Sequence, residues 1–254
     1  MAYLDGGPIA LAHRGFSLDG RENSMEAFSA AVGLGFRHVE TDVHATRDGV
    51  VVAFHDETLD RVTDRSGRVA DLDWVQVRGA LIGGVDPVPS LEELLGAWPS
   101  LNLNIDVKSA AAVGPTVDVI ERTAAHGRVC IASFSDARRR AVLRRLSRPV
   151  TTSAGTRTTA AFRVAVAARS PAAARRALRD VDCLQVPERF GRLPVVTSAT
   201  LAAARAAGTQ VHVWTVNDPA DMHRLLDLGV DGLVSDRADL LKQVLLDRGQ
   251  WTGG

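Results

Sequence analysis

Short apolar, strand-like runs alternate with helix-like segments along the whole 254-residue chain. In the first helix-like segment, about 24–34, Met25, Phe28 and Val32 fall on one face, and Gly35 ends the helix. Eight strand-then-helix units can be counted, with strand-like runs at 9–13, 38–44, 101–107, 129–134, 150–152, 183–186, 211–216 and 232–234. This repeat predicts an α/β fold, a TIM (β/α)8 barrel that forms a single domain over residues 1–254.

The segment 57–89 fits none of the eight units. It is long, rich in Asp, Gly and Arg, and interrupts the second strand–helix pair before the helix at about 91–98. Segments of this length without a regular pattern are usually functional or form a small subdomain. We therefore predict an insertion at 57–89, after strand 2 of the barrel.

The bulk composition excludes several classes of partner. Thirty basic and thirty acidic side chains give a formal net charge of zero, so nucleic acid is not an expected partner. The apolar runs are too short for a membrane span and no signal peptide is recognisable, so a cytoplasmic protein without stable membrane association is expected. Cys130 and Cys183 lack C-x-x-C spacing and are predicted to be buried free thiols. Nothing in the sequence indicates the oligomeric state.

Charged and titratable side chains follow the ends of several strand-like runs. In a barrel of this kind the active site forms at the carboxyl ends of the strands. The residues concerned are His13 and Arg14 after strand one, Glu40 and Asp42 on strand two, Asp106 and Lys108 on strand three, and Trp214 near the end of strand seven. We expect these side chains to converge on one site.

The three carboxylates of this set predict a metal site. Strand side chains alternate with period two, so Glu40 and Asp42 share one face, and Asp106 lies on the neighbouring strand. Unpaired carboxylates at close range repel, and a divalent cation removes that repulsion. Because the ligands are all oxygen, the predicted ion is Mg2+ or Ca2+ rather than zinc.

The remaining residues suit phosphate chemistry. His13 and His55 are candidates for the general base and the general acid, because histidine titrates near neutral pH. Arg14 and Lys108 would hold the phosphate oxygens. Lys108 is one of only two lysines in a chain that otherwise uses arginine. Together these groups predict cleavage of a phosphodiester.

Ordered motifs carry a family resemblance. They are His13-Arg14-Gly15, Glu22-Asn23-Ser24, Glu40-Thr41-Asp42-Val43, His55-Asp56, Val88-Pro89-Ser90-Leu91, Asn104-Ile105-Asp106-Val107-Lys108, Ser133-Phe134, Trp214-Thr215-Val216-Asn217 and Gly229-Val230-Asp231-Gly232. With these motifs the chain resembles the glycerophosphodiester phosphodiesterases over nearly its full length. The resemblance implies a TIM barrel with an insertion after strand two, and cleavage of glycerophosphodiesters to glycerol 3-phosphate and an alcohol.

The resemblance also implies residue roles. Glu40 and Asp42 match the family's metal ligands, His13 and His55 its acid–base pair, Arg14 and Lys108 its phosphate contacts, and Trp214 a wall of its pocket. Two positions depart from the family pattern. Asp106 stands where glutamate is usual, so the third ligand is shorter by one methylene. Ser235-Asp236-Arg237-Ala238 replaces the usual Thr-Asp-x-Pro.

Two alternatives stay open. A phospholipase of the same architecture, such as a lysophospholipase D or a phosphatidylinositol-type phospholipase C, would need an exposed apolar rim, and the sequence shows none. A catalytically dead barrel that only binds a phosphodiester or a protein would be expected to have lost His13 or His55. The other histidines are expected to be structural, with His44 the least secure of His38, His44, His126, His212 and His223.

Overall fold

The computed structural model describes residues 2–253, which form a parallel barrel surrounded by helices. The strands are β1 (Ile9–His13), β2 (His38–Ala45), β3 (Val51–Ala53), β4 (Leu81–Ile82), β5 (Asp86–Pro87), β6 (Asn102–Val107), β7 (Val129–Ala132), β8 (Thr151–Thr152), β9 (Cys183–Pro187), β10 (Arg189–Phe190), β11 (Leu193–Pro194), β12 (Gln210–Trp214) and β13 (Gly232–Ser235). The α-helices are α1 (Met25–Gly33), α2 (Trp74–Arg78), α3 (Leu91–Ala97), α4 (Val113–Arg122), α5 (Asp136–Leu143), α6 (Thr156–Ala167), α7 (Pro171–Leu178), α8 (Ser198–Ala206), α9 (Pro219–Leu228) and α10 (Ala238–Asp247). Within this range no helix is long and apolar enough to cross a membrane.

Eight of these strands make the barrel. They are hydrogen-bonded in the order β8-β7-β6-β2-β1-β13-β12-β9, and each neighbouring pair is parallel. A further parallel bridge between Ser153 and Cys183 joins the two ends of this order, so the ring is nearly closed. The TIM barrel predicted from the sequence is confirmed.

Alternation along β2 shows how the sequence builds both sides of the barrel wall. Val39 and Val43 are fully buried and belong to the main hydrophobic core, where the strands pack against the helices. Glu40 and Asp42 point the other way and line a cavity inside the barrel mouth. The period-two pattern of a strand therefore places the acids on the functional side.

The opposite end of the barrel interior is closed by the N-terminal segment. The His38 ring nitrogen Nε2 hydrogen-bonds the carbonyl oxygen of Tyr3 at 2.8 Å, and the two rings meet edge to face at 4.9 Å. Burial lowers the pKa of His38 to about 4, so this ring is neutral at physiological pH. Cys130 and Cys183 pack against Tyr3 as buried free thiols, which confirms the prediction for both.

The chain between β3 and α3 forms a small subdomain with its own hydrophobic core. Leu59, Val77 and Ile82 are fully buried in that core. Short strands β4 and β5 pair antiparallel within it, and β3 pairs antiparallel with barrel strand β2. The subdomain is thereby attached at the carboxyl end of the second strand, beside the barrel mouth.

Two elements differ from the sequence prediction. The strand-then-helix repeat predicted one helix between the strand-like runs 150–152 and 183–186, but two helices, α6 and α7, follow β8. Arg169 has a left-handed φ of 52°, and Ser170 caps the second helix, which begins at Pro171. The hairpin β10–β11 was also not predicted, because its strands are only two residues long and their residues are exposed.

Candidate active site

The carboxyl ends of the barrel strands surround one cavity of about 450 Å3. Strand register brings the predicted residues together, since His13 is paired with Glu40 and Asp42 with Asp106. All eight predicted site residues line this cavity: His13, Arg14, Glu40, Asp42, His55, Asp106, Lys108 and Trp214.

His13 ends β1 and is held by two carboxylates. Its Nδ1 lies 2.6 Å from Oδ1 of Asp236, and its Nε2 lies 3.7 Å from Oε2 of Glu40. Burial alone would lower the pKa of His13, but the Glu40 carboxylate and the hydrogen bond to Asp236 outweigh it and raise the pKa above 6.5. Because Nδ1 is engaged, Nε2 is the nitrogen left for proton exchange.

Asp236 is a partner of His13 that the sequence interpretation missed. It follows β13, and the side chain of Asn217 donates to its Oδ2 at 2.8 Å, while its own backbone N–H donates to Asn217 Oδ1 at 2.9 Å. Burial raises the pKa of Asp236, but the hydrogen bonds from His13 and Asn217 bring the net pKa below its ordinary value. The signal in the sequence is an acid two residues past the strand-like run 232–234.

His55 is positioned in a similar way from the other side. Its Nδ1 lies 2.6 Å from Oδ1 of Asp56, whose other oxygen accepts from Nε of Arg61. The Arg61 hydrogen bond, aided by His55, lowers the pKa of Asp56 to about 2. Arg61 in turn donates to Glu22 at 2.7 Å, so the orientation of His55 depends on a residue of the subdomain.

Arg14 begins the turn after β1 with a left-handed φ of 56°. Its Nη1 donates to Glu22 at 2.8 Å, and its Nε lies 3.0 Å from Oδ2 of Asp42. The next residue, Gly15, packs so closely on α1 that an added Cβ would lie 2.6 Å from a backbone carbon of Ala27. The glycine lets the turn pass against the helix while Arg14 faces the cavity.

Lys108 follows β6 and forms ion pairs with two aspartates. Its Nζ lies 2.7 Å from Asp42 and 2.8 Å from Asp106. Burial lowers the pKa of Lys108, but the two carboxylates outweigh it and raise the pKa above its ordinary value. Lys108 is therefore a fixed positive charge in the cavity.

The surroundings of the three predicted metal ligands, Glu40, Asp42 and Asp106, suit a divalent cation. Burial and the neighbouring Asp42 raise the pKa of Glu40 to about 8, which is the response expected of crowded acids that lack sufficient positive charge. Within the described residues, the buried oxygens Asp42 Oδ2, Asp106 Oδ1 and Asn104 Oδ1 have no hydrogen-bond partner, although Asp42 Oδ2 is close to Arg14. An all-oxygen set with free lone pairs suits a hard divalent cation.

The arrangement of these acids is nevertheless not that of a preformed metal cage. Across residues 2–253, no group of three or more His, Cys, Asp or Glu side chains is placed to hold one ion. The Lys108 ammonium lies between Asp42 and Asp106 and contacts both. The donor chemistry fits a cation, and its binding would require Lys108 to release at least one aspartate.

Aromatic rings form a wall beside the charged residues. Trp214, at the end of β12, meets Phe134 edge to face with the ring centres 5.9 Å apart. The Phe134 ring also lies 5.5 Å from Nζ of Lys108. The cavity thus has an aromatic boundary next to its positive charges.

His44 lies close to this site without lining it. Its Nε2 hydrogen-bonds the carbonyl oxygen of His55 at 3.1 Å, and burial lowers its pKa. The ring therefore supports the backbone that carries His55. The other histidines excluded on sequence grounds, His38, His126, His212 and His223, do not line the cavity.

Comparison with known proteins identifies the family. The sequence profile of the Glycerophosphoryl diester phosphodiesterase family matches residues 13–240. A Mycobacterium tuberculosis protein named "probable glycerophosphodiester phosphodiesterase 2" is 53% identical over 249 residues, covering 98% of this chain and 94% of that protein.

Solved structures share the fold. A glycerophosphodiester phosphodiesterase from Agrobacterium tumefaciens superposes with a TM-score of 0.73 at 21% identity, covering 92% of this chain and 99% of that one. An Oleispira antarctica phosphodiesterase, solved in complex with the product sn-glycerol-3-phosphate, gives 0.76 at 21% identity, covering 94% and 97%. The chain belongs to the glycerophosphoryl diester phosphodiesterase family and is a phosphodiesterase.

Proposed function

We propose that this enzyme hydrolyses small glycerophosphodiesters to glycerol 3-phosphate and an alcohol, with His13 and His55 as the acid–base pair. The observation that carries the proposal is the matched support of the two histidines. Each ring has its Nδ1 within 2.6 Å of an aspartate, and both rings line the cavity that contains Arg14 and Lys108. A carboxylate at Nδ1 orients the ring and stabilises its charged form.

The two cations provide for the phosphate. A phosphodiester carries one negative charge, and more charge develops on its oxygens as the new P–O bond forms. Arg14 is already held in place by Glu22, so it would meet that charge with little reorganisation. Lys108 would face the same charge from beside Asp42 and Asp106, after releasing at least one of them to the cation. One histidine then takes a proton from the attacking oxygen, and the other gives a proton to the alcohol oxygen as its bond to phosphorus breaks.

The proposal includes a divalent cation, Mg2+ or Ca2+, with Glu40, Asp42 and Asp106 as its ligands. Such an ion would supply a Lewis acid at the phosphoryl oxygens. The observations that support it are the buried oxygens of Asp42 and Asp106 without hydrogen-bond partners among the described residues and the raised pKa of Glu40. The cytoplasm as location, and a role in glycerol and lipid metabolism, belong to the same proposal.

The names of similar proteins agree with this substrate class. The Mycobacterium tuberculosis protein bears the name of a glycerophosphodiester phosphodiesterase, and the Oleispira antarctica structure holds sn-glycerol-3-phosphate as product. Glycerol 3-phosphate is the product that we propose here.

The test is hydrolysis of glycerophosphocholine, measured as the release of choline. We expect turnover with added Mg2+ or Ca2+, and a loss of at least 100-fold in kcat/KM for His13→Ala and for His55→Ala. His223→Ala is the control, since His223 lies on α9 away from the cavity. Full activity of His13→Ala would refute its role in proton transfer. Turnover that persists in EDTA would refute the metal, and an inactive wild type supplied with both ions would favour a binding protein.

A further inference from the structure

The formal charges of this chain are distributed unevenly around the barrel. Residues 136–192, from α5 to the hairpin β10–β11, contain fourteen arginines and four acidic residues. This segment therefore has a formal charge of +10, and the remainder of the chain has −10. Within residues 2–253, only Arg139 and Arg140 of the fourteen arginines form ion pairs, and both contact Asp180. The positive charge on this side of the barrel is largely uncompensated, so it attracts anions.

The outer surface of α6 and α7 combines cationic and apolar side chains. Residues 156–178 contain no acidic residue, and their exposed positions are four arginines, one threonine and otherwise alanine, valine and proline. Helix faces that contact only water usually mix charges of both signs. Exposed basic residues interspersed with apolar ones are instead typical of helices that lie in a membrane interface.

The hairpin β10–β11 extends this surface with larger apolar side chains. Arg163 of α6 donates to the carbonyl oxygen of Pro194 at 3.1 Å, which fastens the hairpin to the helix. Phe190 and Leu193 are paired across the hairpin and are 74% and 58% exposed. On α6, Val164 follows Arg163 directly and is 69% exposed. Adjacent large apolar side chains with this exposure indicate an interaction surface.

Six arginines of these elements define what we call the arginine surface. They are the exposed arginines of α6, of α7, of the turn between these helices and of the hairpin, namely Arg157, Arg169, Arg175, Arg176, Arg189 and Arg192. None of the six lines the cavity that contains His13 and His55. The arginine surface is therefore separate from the candidate active site.

We propose that the arginine surface and the hairpin dock the enzyme reversibly on an anionic lipid surface. The arginines pair with lipid phosphates, while Val164, Phe190 and Leu193 leave water for the boundary between the head groups and the acyl chains. The docking is peripheral. It does not depend on the proposed function, because it uses residues outside the candidate active site.

Nucleic acid is the competing occupant of a basic surface. Its phosphates would also pair with the arginines. The backbone of a duplex is polar, however, so binding to it would leave Val164 and Leu193 in water. A lipid interface offers phosphate and hydrocarbon together along its whole extent, which matches the mixed composition of this surface.

The first experiment is co-sedimentation of the full chain with lipid vesicles. Vesicles of phosphatidylcholine are compared with vesicles of equal parts phosphatidylcholine and phosphatidylglycerol, at low and at high salt. Each arginine close to an anionic surface changes the partition coefficient about fivefold. With six such arginines, we expect at least about 100-fold tighter binding to the anionic vesicles, and its loss at high salt.

Two outcomes of the co-sedimentation would overturn the proposal. One is equal binding to neutral and anionic vesicles, because the arginines would then contribute nothing. The other is no binding to anionic vesicles at low salt. If the protein then bound a DNA duplex instead, the occupant of the arginine surface would be nucleic acid.

The second experiment uses two double variants of equal net charge. Arg175→Gln/Arg176→Gln removes two charges from the arginine surface, and Arg37→Gln/Arg65→Gln removes two exposed arginines elsewhere. We expect the first variant to weaken binding to anionic vesicles at least about tenfold and the second to stay within about twofold of the wild type. Equal losses in the two variants would show that binding follows net charge alone, and would overturn the arginine surface as the docking site.

The third experiment tests the apolar part of the surface. Leu193→Ala shortens an exposed side chain of the hairpin, and Leu246→Ala does the same on α10, where Leu246 is 47% exposed. We expect Leu193→Ala to weaken binding to anionic vesicles at least about threefold, because methylenes that enter the interface have been removed. Leu246→Ala should bind like the wild type. Wild-type binding by Leu193→Ala would overturn the insertion of the hairpin into lipid.

Discussion

Replacement of Asp236 by asparagine tests how His13 is prepared for catalysis. The substitution keeps the size of the side chain and removes its charge. In the wild type, Asp236 Oδ1 lies 2.6 Å from His13 Nδ1, and Oδ2 accepts from Asn217. Because Asn217 can still hold an amide at this position, the variant should fold, and its defect should be confined to the orientation and pKa of His13.

The size of the effect of Asp236→Asn follows from the solvent exposure of the His13–Asp236 pair. A hydrogen bond to an ionised group contributes about 1.5–3 kcal/mol when it is shielded from water. The Asp236 side chain is 51% exposed, so solvent screening reduces this to about 1 kcal/mol, slightly less than one pKa unit. An asparagine amide can also donate to Nδ1 and select the wrong tautomer. In a fully buried serine protease triad, the Asp-to-Asn substitution lowers kcat by about 10⁴. For this half-exposed pair we expect kcat/KM to fall about 10- to 100-fold.

Two measurements check this prediction. An NMR titration of the His13 ring should show a lower pKa in Asp236→Asn, because an anion that favours the protonated ring has been removed. The limb of the pH profile governed by His13 moves to lower pH. The profile widens if His13 is the base, and narrows if it is the acid. Asp218→Asn removes the charge of a helix cap away from His13. This control should change neither the His13 pKa nor the pH profile of activity. An unchanged His13 pKa in Asp236→Asn would refute the reasoning.

The same pKa has a consequence for stability. The folded-state pKa of His13 is raised above 6.5, so protonation of this ring favours the folded state. That contribution is fully present below about pH 6.5 and is lost as the pH rises through the folded-state pKa. Urea unfolding of the wild type and Asp236→Asn should therefore differ more at pH 5.5 than at pH 9, and a larger difference at pH 9 would contradict the sign.

The remaining predictions concern the phosphate site, the turn after β1 and the subdomain. Lys108→Met removes a cation and leaves two aspartates facing each other, so kcat/KM for glycerophosphocholine should fall at least about 100-fold; a loss below tenfold would argue against a phosphate contact. Gly15→Ala introduces a Cβ that clashes with the α1 backbone at a φ of 83°, and urea unfolding should show a loss of more than about 2 kcal/mol, compared with about 1 kcal/mol for Gly20→Ala, which has a φ of 73° and open space. Ile82→Ala empties a fully buried position of the subdomain core and should lower the unfolding free energy by about 2–5 kcal/mol. Exposed Val85→Ala should stay within about 0.5 kcal/mol, and equal effects of these two would show that the subdomain core does not contribute to global stability.

The barrel and the composition of its mouth were predictable because both depend on local pattern. Val39 and Val43 alternate with the two acids along β2 and so predicted which face joins the core, and both valines occupy that core. The same alternation predicted that Glu40 and Asp42 share the other face, and the structure has both on the cavity. Period-two patterning is a property of a few adjacent residues, so a single sequence suffices to detect it.

The partner of His13 was harder to predict because it depends on a contact between distant segments. Asp236 is 223 positions from His13, and they meet because β13 pairs with β1. The exposed ring of Phe190 at the cavity was missed for a related reason. Phe190 belongs to a two-residue strand without a hydrophobic pattern, and only its position against α6 brings it to the cavity.

The subdomain is joined to the candidate active site through a glutamate of the barrel that contacts two arginines. Glu22 accepts from Arg14 at 2.8 Å and from Arg61 at 2.7 Å, and Arg61 in turn fixes Asp56 beside His55. Arg14 belongs to the barrel and Arg61 to the subdomain. Burial raises the pKa of Glu22, but the two guanidiniums outweigh it and lower the net pKa, so the link stays ionised at neutral pH. The proposed phosphate contact Arg14 and the candidate histidine His55 are therefore positioned by one chain of ion pairs, which gives the insertion after strand two a positioning role that its loop-like sequence did not reveal.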